Sequence, residues 1–305
     1  MSLEMNTTLN TSRNESSLLA DYQVWFIPID FLTNICISIS MVLAVFFFFV
    51  ITLDKTCRNV PMLLVGNSYL IGLIFGIMMF SINVFRLTND LSRRNGYDMF
   101  CSFRGYMGYA TCSILNFSFF LQGFYRFVRI VYPRRLIFQS ARFQIFLICL
   151  TWIFGIFYPM KFLFTREILY DVDNQICQLR LYFSFSIIYM ANFAYITPVS
   201  LTMIIYLKLV SHVKKMSHHV TPVNTLSRAK RELKMVRRTV ILVSILIVYC
   251  LPYAIFIVCS FFVQLPKYHF RISYVFIDTS YLFVISVLFQ FTGPLKASIK
   301  KLFRR

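Results

Sequence analysis

The chain has 305 residues, of which 58% are hydrophobic, 35 are Phe and only 14% are charged. Soluble domains carry roughly 25% charged residues, and a globule in water could not hide this much apolar surface behind a polar exterior. A net charge of +19 would suit a nucleic-acid partner. The basic residues, however, lie between long apolar runs, which excludes that partner and points to a bilayer.

Residues 1–26 are read as an extracellular, glycosylated tail. The stretch is polar up to about Tyr22, without the basic start and apolar core of a cleaved signal peptide. Three glycosylation sequons begin at Asn6, Asn10 and Asn14. The first apolar run then has to act as signal and anchor together.

A hydrocarbon core of about 30 Å needs about 20 apolar residues at about 1.5 Å each. Within 27–292 seven runs meet this, near 27–53, 60–85, 100–130, 143–164, 181–210, 236–263 and 272–291. The predicted fold is therefore an all-α membrane protein, a bundle of seven transmembrane helices. The third run carries Thr111, Ser113, Asn116, Ser118 and Gln122 in its middle. Polar atoms at that depth predict a helix surrounded by other helices and not by lipid.

Residues 293–305 form the cytoplasmic end. Leu295, Ile299 and Leu302 fall at helical spacing beside Lys296, Lys300 and Lys301, which predicts a short amphipathic helix on the inner leaflet. A frayed basic tail is the alternative. Pro294 reads as the turn into this helix.

Charge sets the orientation. With the N-terminus outside, the inner side holds 21 of the 31 Lys and Arg and two acids, Asp54 and Glu232. Lys and Arg favour the cytoplasmic side of short loops. The expected location is the plasma membrane, with several crossings and the N-terminus extracellular.

Landmarks lie inside this frame. Cys101 starts the third helix on the outer side, and Cys177 lies in the outer loop between the fourth and fifth. Arg126 follows 25 residues after Cys101, about 37 Å further along a helix, at the inner interface. It sits in Phe124-Tyr125-Arg126-Phe127, with Pro133 seven residues on. Trp152 is mid-way along the fourth helix and Asn67 lies in the second. Pro198 stands in the fifth helix with Tyr206 eight residues later, and Pro252 in the sixth.

Together these residues resemble the rhodopsin-like, or class A, G-protein-coupled receptors. The resemblance implies a Cys101–Cys177 disulfide pinning the outer loop across the bundle mouth. It implies that Arg126 meets a heterotrimeric G protein, with Pro133 and Tyr206 in the same coupling region, and that Asn67 packs near Trp152. It also implies kinks at Pro198 and Pro252, since proline removes one helical hydrogen bond. An Arg that only snorkels from a helix end is the plainer reading of Arg126.

The chain also departs from the family. Tyr125 replaces the acid before the Arg, Gly72 the second-helix Asp, and Ala44 the first-helix Asn. The Cys-Trp-x-Pro motif reads Tyr249-Cys250-Leu251-Pro252, and Ile285-Ser286-Val287-Leu288-Phe289 stands where Asn-Pro-x-x-Tyr is expected. Without the second-helix Asp, the family's sodium site has no anion.

The outer half of the bundle is the expected ligand site. Gly108 occupies the place of the amine receptors' Asp, and the seventh helix has no Lys for retinal. A peptide or a chemosensory small molecule is thus favoured over an amine. Candidate pocket residues are Gly108, Cys112, Asp278 and Tyr281. Small residues at Gly105 and Gly108 also suit close helix packing. Asp278 is read as the one acid well inside a helix, where it either meets a cationic ligand group or bonds the hydroxyl of Tyr274 or Tyr281.

Other classes fit less well. A transporter or channel should show polar or broken segments in paired positions near midplane. An intramembrane enzyme should show a His-Glu-x-x-His helix or paired acids, and none occurs. No cofactor is expected, and the partners expected are a G protein, membrane lipid and an extracellular ligand.

Overall fold

The computed structural model describes residues 2–92, 99–218 and 223–302, with side chains from Trp25 onward except at scattered positions, most of them between 217 and 242. The side chains of Asn6, Asn10 and Asn14 lie outside the described residues.

Seven crossings build the bundle. The first is α1 (Ser2–Leu53), which begins earlier than the apolar run, and the second is α2 (Val60–Ser92). Asn59 caps α2, its Oδ1 accepting from Met62 N at 3.1 Å, and Pro61 stands in the first turn, where its missing N–H costs nothing. The third is α3 (Cys101–Val131), followed by the short α4 (Leu136–Gln139) on the inner side.

The fourth crossing covers the expected run as one span, with a break inside it. It comprises α5 (Ala141–Phe157), capped by Ser140, and α6 (Met160–Phe164), separated at Tyr158-Pro159. Pro159 has no N–H to carry the helical ladder across that point. Strands β1 (Ile168–Asp171) and β2 (Ile176–Leu179) then form an antiparallel hairpin, Tyr170 opposite Cys177.

The fifth crossing is α7 (Phe185–Ala191), a π-helical turn at Asn192–Ile196, and α8 (Thr197–His218). The sixth is α9 (Val223–Cys259), with Pro252 inside it, and the seventh is α10 (His269–Phe291).

Among the described residues, five crossings are long and apolar enough by composition alone to span a bilayer. The third falls short because of its polar middle, and the described apolar part of α9 is the shorter Val243–Cys259. The expectation for α3 holds, since Thr111, Ser113, Asn116, Ser118 and Gln122 are all buried. It packs against α2, α5, α8, α9 and both strands. Gly155 permits the close approach of α5, because a Cβ there would stand 2.2 Å from Ile114. Large side chains such as Phe31, Phe49, Phe146 and Leu251 point outward, as a lipid-facing surface requires.

The chain ends in α11 (Gly293–Leu302). Leu295 is fully buried, and Ser298 Oγ lies 3.5 Å from Cys57 Sγ in the turn between α1 and α2. Lys296 is exposed, with its Nζ 5.7 Å from the Phe289 ring centre. Apolar side in and Lys out is the amphipathic arrangement predicted for this segment.

Candidate functional site

At the outer end, Cys101 and Cys177 form a disulfide with a Cα–Cα distance of 5.4 Å. The hairpin lies so close to α3 that a Cβ on Gly105 would meet the Cys177 carbonyl oxygen at 2.5 Å. Gly105 therefore serves the hairpin and not a helix. One residue past the disulfide, Gln178 turns down into the bundle. Its side-chain Oε1 accepts from the Tyr109 hydroxyl, and its Nε2 donates to the Tyr274 hydroxyl. Burial pushes the Tyr170 phenol on β1 above its ordinary range, and the nearby Arg271 charge opposes this.

Beneath Gln178 is a cavity of about 50 Å³. Gly108 and Cys112 line it from α3, Tyr253 from α9, and Tyr274 and Ile277 from α10. Its volume is that of one or two water molecules. No charged side chain lines it. Below it lies a smaller pocket of about 20 Å³ where Cys112 and Tyr281 meet.

Asp278 sits one residue beyond that lining and is fully buried. Its Oδ2 accepts from Asn83 Nδ2 at 2.6 Å, so the hydroxyl partner expected at Tyr274 or Tyr281 is replaced by an amide on α2. Nor is it the one acid inside a helix. Asp30 on α1 and Asp90 on α2 are also buried. Each is neutralised by a buried guanidinium, Arg86 Nη2 2.6 Å from Asp30 and Arg271 Nη1 2.8 Å from Asp90. Arg86 also donates to Asn83 Oδ1 at 2.5 Å, joining Asp30, Arg86, Asn83 and Asp278 into one chain across α1, α2 and α10.

Asn116 and Ser113 reach the backbone just before Pro198 in the core. Proline at 198 cannot donate a backbone hydrogen bond, which frees carbonyls one turn back. Asn116 Nδ2 donates to Ala194 O at 2.8 Å, and Ser113 Oγ to Phe193 O at 3.4 Å. The π turn lies over this same stretch. Pro252 follows Cys250, whose Sγ lies 3.2 Å from the Tyr195 hydroxyl in the π turn. Trp152 Nε1 donates to Asn67 Oδ1 at 2.9 Å, the contact implied for that pair.

Beside Gly72, which stands where the resemblance expects an Asp, a Cβ would make ordinary contacts with Ile285 at 3.5 Å and the Tyr281 ring at 3.8 Å.

At the inner end, Arg126 is partly buried, one residue past the buried Tyr125. Tyr206 packs with Phe127, Ile130 and Val131 around Leu209 and Val213, which brings α8 onto the inner end of α3. Pro133 is exposed in the turn after α3, its carbonyl accepting from Gln139 Nε2 at 3.2 Å. In the first half of α9, the basic side chains of Lys234 and Arg237 are exposed, and those of Arg228, Lys230, Arg231 and Arg238 lie outside the described residues.

Sequence reasoning missed Gln178, Tyr109 and the two Arg–Asp pairs. Gln178 had a signal, since the residue beside a stapled Cys is held over the bundle mouth.

No curated protein sequence matches the chain. The crystal structure of squid rhodopsin is similar in fold, with a TM-score of 0.75 at 13% identity, covering 92% of this chain and 86% of that one. The sequence profile of the 7 transmembrane receptor (rhodopsin family) matches residues 42–289. With most of the chain inside that match, and the stapled hairpin and seven crossings it entails, the protein belongs to the rhodopsin family of seven-transmembrane receptors.

Proposed function

We propose that this receptor sits in the plasma membrane with its N-terminus outside, binds an extracellular ligand in the outer half of the bundle and activates a heterotrimeric G protein. The observation that carries this reading is the make-up of α3. One rigid helix holds the Cys101 staple, the Gly108 and Cys112 wall of the cavity, and Arg126 at the far end. A ligand pressing on the first two is mechanically linked to the third.

Arg126 is the group that meets the G protein, with Tyr206 and Pro133 shaping the surface around it. Pro198 and Pro252 let the inner halves of α8 and α9 swing. The uncharged lining favours a neutral small molecule or a peptide side chain over an amine, which would have no counter-ion beside Gly108. Residues 1–26 are the extracellular tail, glycosylated at Asn6, Asn10 and Asn14, and residues 293–305 lie on the cytoplasmic leaflet.

The test is a screen of peptide and small-molecule libraries on cells expressing the receptor, read by G-protein dissociation. Ligand-evoked dissociation is expected, and it should vanish in Arg126→Ala at equal surface expression. Signalling left intact by that change would remove Arg126 from the coupling site. Solute flux without G-protein dissociation would overturn the receptor reading.

A further inference from the structure

Gln178 of the buried strand β2 stands at the top of the inner cavity, held on two sides by Tyr109 and Tyr274. While Gln178 stays in place, the space of about 50 Å³ below it has no room for a ligand of ordinary size.

A much larger space lies beside it. Between α7–α8 and α9 is a cleft of about 540 Å³, within the range of small-molecule sites. Its walls are apolar, including Ile187, Val199, Leu251 and Ile257, and no charged side chain lines it. Ile188, Ile196, Leu251 and Val258 at its edges face outward, toward hydrocarbon in a bilayer. Water has no route to such a space through lipid, whereas an apolar molecule dissolved in the membrane does.

The cleft shares a wall with the inner cavity. Met190, Tyr195 and Tyr253 line both. Tyr195 stands in the π turn with its hydroxyl 3.2 Å from Cys250 Sγ, and the Tyr253 hydroxyl is buried with no hydrogen-bond partner among the described residues. The partition thus includes two aromatic side chains, each carrying one neutral polar atom at the inner side of an apolar cleft.

We propose that the receptor takes an uncharged lipophilic ligand from the bilayer through the cleft between α8 and α9, its apolar body filling the cleft and its polar group bonding the Tyr195 and Tyr253 hydroxyls. That this occupant is an agonist rests on the receptor reading above. That it binds here does not, and binding is what the experiment measures.

The receptor is placed in phosphatidylcholine nanodiscs and exposed to a diazirine-bearing hexadecanol, with crosslinked residues located by mass spectrometry. Saturable labelling within 187–200 and 247–261 is expected, displaced by plain hexadecanol. Ala254→Trp should abolish that saturable component. Ala254 is exposed, so the added ring enters the cleft without displacing core atoms. Ala191→Trp blocks the same space from α7 and should give the same loss. Tyr195→Phe keeps the shape and removes one hydroxyl, so hexadecanol should displace the probe about threefold to tenfold less well, the effect of one hydrogen bond.

Labelling that rises linearly, spreads evenly over the lipid-facing helices and ignores both Trp variants would mean bulk lipid only, and would overturn the proposal. So would labelling centred on Asp171, Arg180 and His269, which line a separate open cleft on the outer surface. Saturable cleft labelling without any G-protein response would leave the site standing and count against the signalling role alone.

Discussion

Asn116 on α3 donates its amide to the Ala194 carbonyl at 2.8 Å, the carbonyl one turn before Pro198. The defect made by a proline in one helix is thereby satisfied by a side chain from another. In hydrocarbon no water can take over that role. Asn116→Ala should lower stability by about 1–2 kcal/mol. Adding Pro198→Ala returns a backbone donor to the same turn and should recover part of the loss. Thermal unfolding of both variants in nanodiscs checks this, and a double variant no better than the single one would separate the two residues.

The two glycines on the outer part of α3 should behave differently. Gly105→Ala drives a Cβ to 2.5 Å from the Cys177 carbonyl, which is backbone and tethered by the disulfide. Gly108→Ala meets only the flexible end of Met79 at 3.6 Å. The first change should displace the hairpin and reduce surface expression, and the second should leave expression near that of the native chain. Flow cytometry of surface receptor compares them directly.

Gln178 is expected to act as a plug. Gln178→Ala removes both of its bonds, to Tyr109 and Tyr274, and opens the roof above Cys112. A charged methanethiosulfonate reagent added outside should then modify Cys112 faster than in the native protein. Equal rates in the two would show that the roof is closed by something else.

Arg86 and Asp30 offer a third comparison. Removing one partner of a buried ion pair leaves an uncompensated charge and costs about 3–5 kcal/mol. Arg86→Met and Asp30→Leu should each reduce folded receptor, and the double change should restore much of it. Yield of monodisperse receptor after solubilisation reads the outcome. Additive losses would mean that the 2.6 Å contact carries no coupling.

These pairs also mark where the sequence stopped being legible. The second and seventh runs end, by apolar composition, at residues 85 and 272, each one residue short of an Arg. The helices continue to Ser92 and begin at His269, because Arg86 and Arg271 meet carboxylates that are distant in sequence. A charge reads as a boundary until its partner is known. The same blindness made Asp278 look solitary.

Other features were legible because their cause is local or one-dimensional. The polar stripe of α3 predicted its central place, and Leu295, Ile299 and the lysines predicted α11. The Trp152–Asn67 contact followed from the family resemblance and from nothing in the local pattern. The break at Pro159 and the π turn before Pro198 had a proline signal, but proline alone does not say whether a helix kinks, stops or shifts register. The small, uncharged cavity could not be foreseen, since it depends on how far Gln178 descends.

The outer ends of α1, α2 and α10 are held to one another by Arg86–Asp30, Arg271–Asp90 and Asn83–Asp278. Such a triple clasp makes one flank of the barrel a fixed spine. Any rearrangement that a ligand provokes near the surface is left to the opposite flank, where α8 and α9 face each other across apolar space. The bundle is thus bound along one edge, like the spine of a book.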